Sequence, residues 1–189
     1  MSPKVLFIDR DGTLIAEPPD EQIDSLEKLH VFKDAVQGLS RIAKLGYELV
    51  MVTNQDGLGT GSFPEETFWP AQNRMLDILK KAGAVFKEVL IDRSFVHENS
   101  PTRKPRTGLV ARYMTSDYDL KASFVIGDRS TDMELAKNLG TKGIIVKPKA
   151  GHLEMVHQKK LKETVVLVAN DWNQVADYLE KLAKNRKGR

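Results

Sequence analysis

Short apolar runs that stop at a polar turn and lead into helical spacing recur along this chain, and that alternation restricts it to few architectures. The first run is Val5, Leu6, Phe7 and Ile8. It is unbroken and rich in strand formers, as expected where helices cover both faces of a parallel sheet. It ends in Asp9-Arg10-Asp11-Gly12, and open α/β sheets place their ligand crevices at the carboxyl ends of their strands. Gly12 permits a sharp turn, and two carboxylates one residue apart can offer a side chain and a carbonyl oxygen to one hard cation, which reads as a magnesium site. Asp and Gly are also ordinary turn residues, so this stretch alone fits a plain strand-ending turn equally well.

The pattern then repeats. Residues 15–32 are acidic and marked by Pro18 and Pro19, and predict an irregular flap beside the first turn. Helical spacing of Ala35, Leu39, Ile42, Ala43 and Leu45 predicts a helix over 33–45, stopped by Gly46. A second strand over 49–52 runs into Thr53-Asn54-Gln55-Asp56-Gly57. Residues 64–82 read as a helix with Phe68, Met75, Leu76 and Leu79 inward, followed by a third strand over 85–91 and a long polar loop over 92–105. Further on come a helix over 107–116, a strand over 123–126 ending at Gly127-Asp128, a helix through Leu139 stopped by Gly140, and strands over 143–146 and 164–168. Asp171 and Gln174 resemble a capping box for a last helix carrying Val175, Ala176, Tyr178, Leu179 and Leu182. Strand and helix alternate throughout, which predicts an α/β fold with a doubly wound, mainly parallel, Rossmann-like sheet and right-handed crossovers.

Composition sets the outer limits. At 189 residues, 41% hydrophobic and 29% charged, the chain suits one globular domain, over 1–183, followed by a basic tail over 184–189. The absence of cysteine excludes disulfides and thiolate metal sites and fits a reducing compartment. With no signal-like segment and no long apolar run, a cytoplasmic location without membrane contact is expected. The net charge of +3 suits an anionic partner, but much of the excess lies in Lys181, Lys184, Arg186, Lys187 and Arg189, a run typical of a solvated end or a linker.

Three strand ends carry polar clusters: Asp9 with Asp11, Thr53 with Asn54, and Asp128 with Asp132. Lys104 opens the helix between the last two. In a doubly wound sheet these ends converge on one crevice, and acids, hydroxyl-amide and amine in that order are hard to obtain from turn chemistry alone.

These residues resemble the haloacid dehalogenase superfamily, phosphatase branch, over nearly the whole chain. Asp9-Arg10-Asp11-Gly12-Thr13 is similar to its first motif, Thr53-Asn54 to its second, Lys104 to its third, and Gly127-Asp128 through Asp132 to its fourth. The resemblance implies a fold with loop insertions and no large cap domain, and a magnesium-dependent phosphomonoesterase. Asp9 would attack phosphorus and carry an aspartyl-phosphate, while Asp11 would serve as general acid and then base. Thr53, Asn54 and Lys104 would bind the phosphoryl oxygens. Magnesium would be held by Asp9, the Asp11 carbonyl and Asp128, with Asp132 orienting its loop.

The finer resemblance is to the histidinol-phosphate phosphatase domain, which in some organisms is fused to imidazoleglycerol-phosphate dehydratase. It rests on Asp9 to Ile15 with Glu17-Pro18-Pro19, on Thr53 to Thr60 with Ser62-Phe63-Pro64, and on Arg103-Lys104-Pro105. It implies L-histidinol phosphate as the small-molecule substrate, in histidine biosynthesis, and fusion or association with that dehydratase. A cationic substrate calls for nearby carboxylates, for which Glu17 and Asp56 are candidates, with Arg103 beside them; both acids equally fit the surface of mobile loops. The family commonly holds a zinc ion just before Arg-Lys-Pro, but here those places are Asp92, Ser94, Ser100 and Thr102, so no zinc is expected. Asp92, His97 and Glu98 are the substitute ligands available, although a lone histidine in a polar loop is usually solvated.

Arg10 is expected to point away from the metal, and Arg129 to form a loop ion pair. His30, His152 and His157 read as structural, and Trp69 and Trp172 as packing residues. Two other substrates belong to related enzymes: D-glycero-D-manno-heptose 1,7-bisphosphate and a 3′-phosphorylated polynucleotide. Nucleic acid is disfavoured because no groove of aromatics with arginines is present. A non-catalytic binding module would lack one of the acids, and all are present.

Overall fold

The computed structural model describes residues 2–187. Six strands, β1 (Lys4–Ile8), β2 (Tyr47–Asn54), β3 (Phe86–Asp92), β4 (Phe124–Gly127), β5 (Lys142–Val146) and β6 (Val165–Ala169), form one parallel sheet in the order β3-β2-β1-β4-β5-β6. The helices are α1 (Lys33–Ile42), α2 (Glu65–Lys81), α3 (Ser130–Leu139), α4 (His152–Gln158) and α5 (Trp172–Lys187). This is the doubly wound α/β fold that the alternation predicts.

The apolar run of β1 explains the layering. Successive side chains of a strand point to opposite faces, and here both faces are dry. Leu6 and Ile8 join Met51, Ile126 and Ile144 under α1, α2 and α5, where Leu39, Met75, Val175 and Leu179 are fully buried. Val5 and Phe7 face the other way, with Val50 and Val125, against Val110, Tyr113 and the Leu135–Leu139 side of α3. β1 lies between β2 and β4, so the chain reverses its winding there and leaves a crevice at the three carboxyl ends.

The packing of α1 on α5 is close enough to require Gly38, where an added Cβ would stand 2.6 Å from the Trp172 carbonyl oxygen. Gly46 ends the first helical segment, after a 3₁₀ turn over Ala43–Leu45, at φ 72°. The acidic stretch over 15–32 is irregular as expected, yet it is pinned by fully buried Leu14, Ile15 and Ile23.

Three expectations need correction. The helix expected over 107–116 is a 3₁₀ segment, Gly108–Tyr113. Its buried residues, Val110 and Tyr113, are three apart, the repeat of a 3₁₀ helix. Helix α4 has no counterpart in the sequence reading, because Val156 is its one buried residue and its periodicity is correspondingly faint. The boundary placed at 183/184 falls inside α5, which continues to Lys187. Residues 188 and 189 of the expected tail lie outside the described residues. Among the described residues no helix is long and apolar enough to cross a membrane.

Candidate active site

The crevice is a cavity of about 360 Å³ lined by residues from all three strand ends, the flap and the loop after β3. Asp9, the first residue past β1, is nearly buried, and its N–H donates to the Ile126 carbonyl of β4 at 2.9 Å. Its Oδ1 accepts from Lys104 Nζ at 2.5 Å and its Oδ2 from the Thr13 hydroxyl at 3.3 Å. Lys104 also donates to Asp132 Oδ1 at 2.8 Å. Burial works against the Lys104 charge, but Asp132 and Asp9 together raise its pKa well above the ordinary lysine value. The Lys104 peptide is gripped on both sides by the Asn54 amide, which accepts from its N–H at 3.1 Å and donates to its carbonyl at 3.3 Å.

Asp128 is different. It is fully buried, and neither carboxylate oxygen has a hydrogen-bond partner. Burial, then Asp9 and Asp132, push its carboxyl up to about 8. Oxygens of Asp9, Asp128 and Asp132 lie within 4.8 Å of one another, and this is the grouping among the described residues that could hold a metal ion. Asp92, His97 and Glu98 form no such group. Gly12 fits against the trio: its φ is +74°, and an added Cβ would stand 2.6 Å from Asp128 Oδ2.

Asp132 uses Oδ2 to accept the Arg129 N–H at 3.2 Å, so the loop between β4 and α3 is tied to the same carboxyl that holds Lys104. His152, read as structural from sequence, lies beside the site, with Nδ1 2.7 Å from the Asp128 carbonyl oxygen. Its spacing to other residues does not reveal this; His152 follows the carboxyl end of β5, on the crevice side of the parallel sheet, and opens α4.

Asp11 is held on both oxygens, by Arg10 Nη1 at 2.7 Å and by Gln55 Nε2 at 2.6 Å. Burial raises its pKa, against the Arg10 charge. Arg10 does point away from the acidic trio, lying fully buried with its guanidinium 5.0 Å from the Phe68 ring centre. Gln55 also donates to the Thr53 hydroxyl at 2.8 Å. Sequence reasoning missed Gln55 as a site residue, although it lies in the quoted Thr53-Asn54-Gln55 run.

The three rim candidates are in the crevice wall and already paired. Glu17 joins Arg129 and Lys149; burial opposes its charge, yet these cations hold it below the usual carboxylate range. Arg103 donates to both oxygens of Asp56, at 2.6 and 3.2 Å, and to the Ser94 carbonyl at 2.7 Å.

The four positions that replace zinc ligands come together as a hydrogen-bonded knot. Asp92, 3% exposed, accepts from the Ser94 hydroxyl (2.5 Å) and N–H (3.0 Å) on one oxygen, and from the hydroxyls of Thr102 (2.5 Å) and Ser100 (3.3 Å) on the other. This knot folds the loop back so that Phe95 and Val96 reach the crevice wall.

A six-stranded doubly wound sheet with an acid-turn-glycine loop after its central strand, a lysine salt-bridged to that acid and a second acid loop opposite is similar to the arrangement of haloacid dehalogenase-type hydrolases. The HAD-hydrolase-like family model matches residues 101–175. It is 52% identical over 182 residues to the histidine biosynthesis bifunctional protein HisB of Bacteroides fragilis, a match covering 95% of this chain and 48% of that protein. It is 54% identical over 146 residues to the protein of that name from Campylobacter jejuni subsp. doylei, covering 76% and 42%. The chain thus spans about half the length of the curated relatives it matches. Among solved structures, D,D-heptose 1,7-bisphosphate phosphatase from B. bronchiseptica, complexed with magnesium and phosphate, superposes with a TM-score of 0.81 at 23% identity over 94% of this chain and 98% of that one, a likeness of fold.

Proposed function

We propose that this chain is a magnesium-dependent phosphatase that hydrolyses L-histidinol phosphate to L-histidinol and phosphate in histidine biosynthesis, with a single phosphatase domain that includes the whole of α5. The observation that carries the chemistry is Asp9, nearly buried and held by Lys104 and Thr13 beside an Asp128 carboxylate with two unpartnered oxygens. The substrate follows from the similarity to the bifunctional HisB proteins. A cytoplasmic location and a working association with a dehydratase partner, fused or separate, belong to the same proposal.

The unpartnered oxygens of Asp128 and the close carboxylates around them are the donor set a hard divalent cation prefers. Asp9, Asp128 and the Asp11 carbonyl would hold it, and bound there it supplies positive charge that lets an anionic carboxylate approach an anionic phosphoryl group.

In the proposed reaction Asp9 attacks phosphorus, forming an aspartyl O–P bond as the ester P–O bond breaks. Asp11 gives its proton to the leaving alkoxide. Water then attacks the aspartyl-phosphate, its proton passes to Asp11, and the Asp9 carboxylate is released with phosphate. Lys104, the Thr53 hydroxyl and the remaining Asn54 amide hydrogen would bind the equatorial oxygens. Glu17 and Asp56 would face the substrate's cationic end, each sharing its charge with the arginine it now holds, Arg129 and Arg103.

The test compares phosphate release with magnesium from L-histidinol phosphate, D-glycero-D-manno-heptose 1,7-bisphosphate and a 3′-phosphorylated oligonucleotide. Strong preference for the first is expected, and Asp9→Asn should abolish it while the protein stays folded. Preference for another substrate discards the pathway; an active Asp9→Asn discards the nucleophile.

A further inference from the structure

Asp11 follows a strand end and precedes a glycine with φ +74°, a position where a short side chain would ordinarily sample several rotamers. Acid–base catalysis does not tolerate that freedom, since the proton must pass over about 2.6–3.2 Å to a particular oxygen. Here both carboxylate oxygens are taken by buried side chains that the reaction above does not use. Arg10 is 0% exposed and Gln55 3% exposed. Among the described residues Arg10's ion-pair partner is Asp11, and its Nε and Nη2 have no hydrogen-bond partner at all, so its charge is directed at that one carboxylate.

Gln55 is fully committed. Its Nε2 donates to Asp11 Oδ2 at 2.6 Å and to Thr53 Oγ1 at 2.8 Å, while its Oε1 faces Arg10 Nη1 at 3.4 Å. An acceptor-only carboxylate on one side and a guanidinium on the other fix which way the amide faces. Its backbone is tied as well, with the N–H on the Asp92 carbonyl at 2.7 Å.

We propose that Gln55 and Arg10 are positioning residues that hold the Asp11 carboxyl, and through Gln55 also the Thr53 hydroxyl, where a leaving-group oxygen and then a water molecule meet it. The proposal rests on the assignment of Asp11 as general acid and base. It divides the two half-reactions in a measurable way. Attack of Asp9 on an aryl phosphate needs no acid, because the phenolate leaves unprotonated; hydrolysis of the aspartyl-phosphate still needs Asp11 to take a proton from water.

The experiment measures wild type, Asp11→Asn, Gln55→Met and Gln55→Glu with an alkyl phosphomonoester and with p-nitrophenyl phosphate, in steady state and in the first turnover, with thermal melts to establish folding. Gln55→Met keeps the volume and loses the donor; Gln55→Glu keeps the shape and the acceptor facing Arg10. For either Gln55 variant kcat on the alkyl ester should fall about 10–100-fold with KM within a few-fold, and p-nitrophenyl phosphate should give a burst of nitrophenolate approaching one per chain, as in Asp11→Asn. A burst in Asp11→Asn but wild-type kinetics in the folded Gln55 variants overturns the proposal and leaves the assignment of Asp11 standing. An Asp11→Asn protein with full activity overturns the assignment itself. A rise in KM without a burst, or failure of both Gln55 variants to fold, places Gln55 in phosphate binding or in stability and likewise overturns the proposal.

Discussion

A carboxyl group with no hydrogen bond to either oxygen is costly to bury, and Asp128 is buried completely. The acids Asp9 and Asp132 add to that cost, and Arg129, with Nε 4.0 Å from Oδ2, offsets only part of it. The residue therefore works against the metal-free fold and for the metal-bound one. Asp128→Asn should raise the melting temperature of the protein in EDTA at pH 8 by a few degrees, about 1–2 kcal/mol, and lower magnesium-dependent phosphatase activity at least about 100-fold. A melt that is unchanged or lower would mean that the cluster is compensated within the protein. At this scale much of the candidate site was legible from residue type at strand ends: Asp9, Asp11, Thr53, Asn54 and Lys104 do line one crevice, and Asp128 is buried beside Asp9. Gln55 and His152 were not legible, because their parts are set by which neighbour their side chains reach, and that depends on the tertiary course of β2 and α4.

Among the elements, the loop after β3 lacks the zinc ligands that the resemblance implies, and the Asp92 knot explains how it keeps its shape. Hydrogen bonds to a buried carboxylate contribute about 1.5–3 kcal/mol each, and Asp92 accepts three such bonds plus a longer one from Ser100, whose single hydroxyl proton is shared with Thr102. Asp92→Ala should loosen residues 93–105 more than the sheet, with amide hydrogen exchange there rising about 10–100-fold and KM rising with it. Unchanged exchange would move the ordering of the loop to the Arg103–Asp56 pair. The strands and the longer helices could be read from period alone, since β1 is apolar on both faces and α2 presents Phe68, Met75 and Leu79 at helical spacing. The 3₁₀ segment over Gly108–Tyr113 and helix α4 could not, as each buries only one or two side chains and is shaped by the surface it lands on.

For the molecule as a whole, the acid cluster links stability to pH and to metal. The Asp128 and Asp132 carboxyls sit above their ordinary values, at about 8 and about 6, burial being the first cause of each. Between about pH 4 and pH 8 the metal-free fold holds protons that the unfolded chain has lost, so the stability these two groups contribute is full below about pH 4 and is lost as the pH rises through 8. Magnesium favours the ionised cluster and competes with those protons. The rise in melting temperature on adding magnesium should therefore be larger at pH 8 than at pH 5; equal shifts at both would show that the metal binds elsewhere. The order of synthesis adds a last constraint. The Trp172 indole N–H donates to the Thr13 carbonyl at 2.8 Å across 159 positions of chain, and Thr13 in turn steadies Asp9. A nascent chain that has already made every candidate catalytic residue from Asp9 to Asp132 still lacks this tie, so the crevice reaches its working shape only after α5 has emerged and docked.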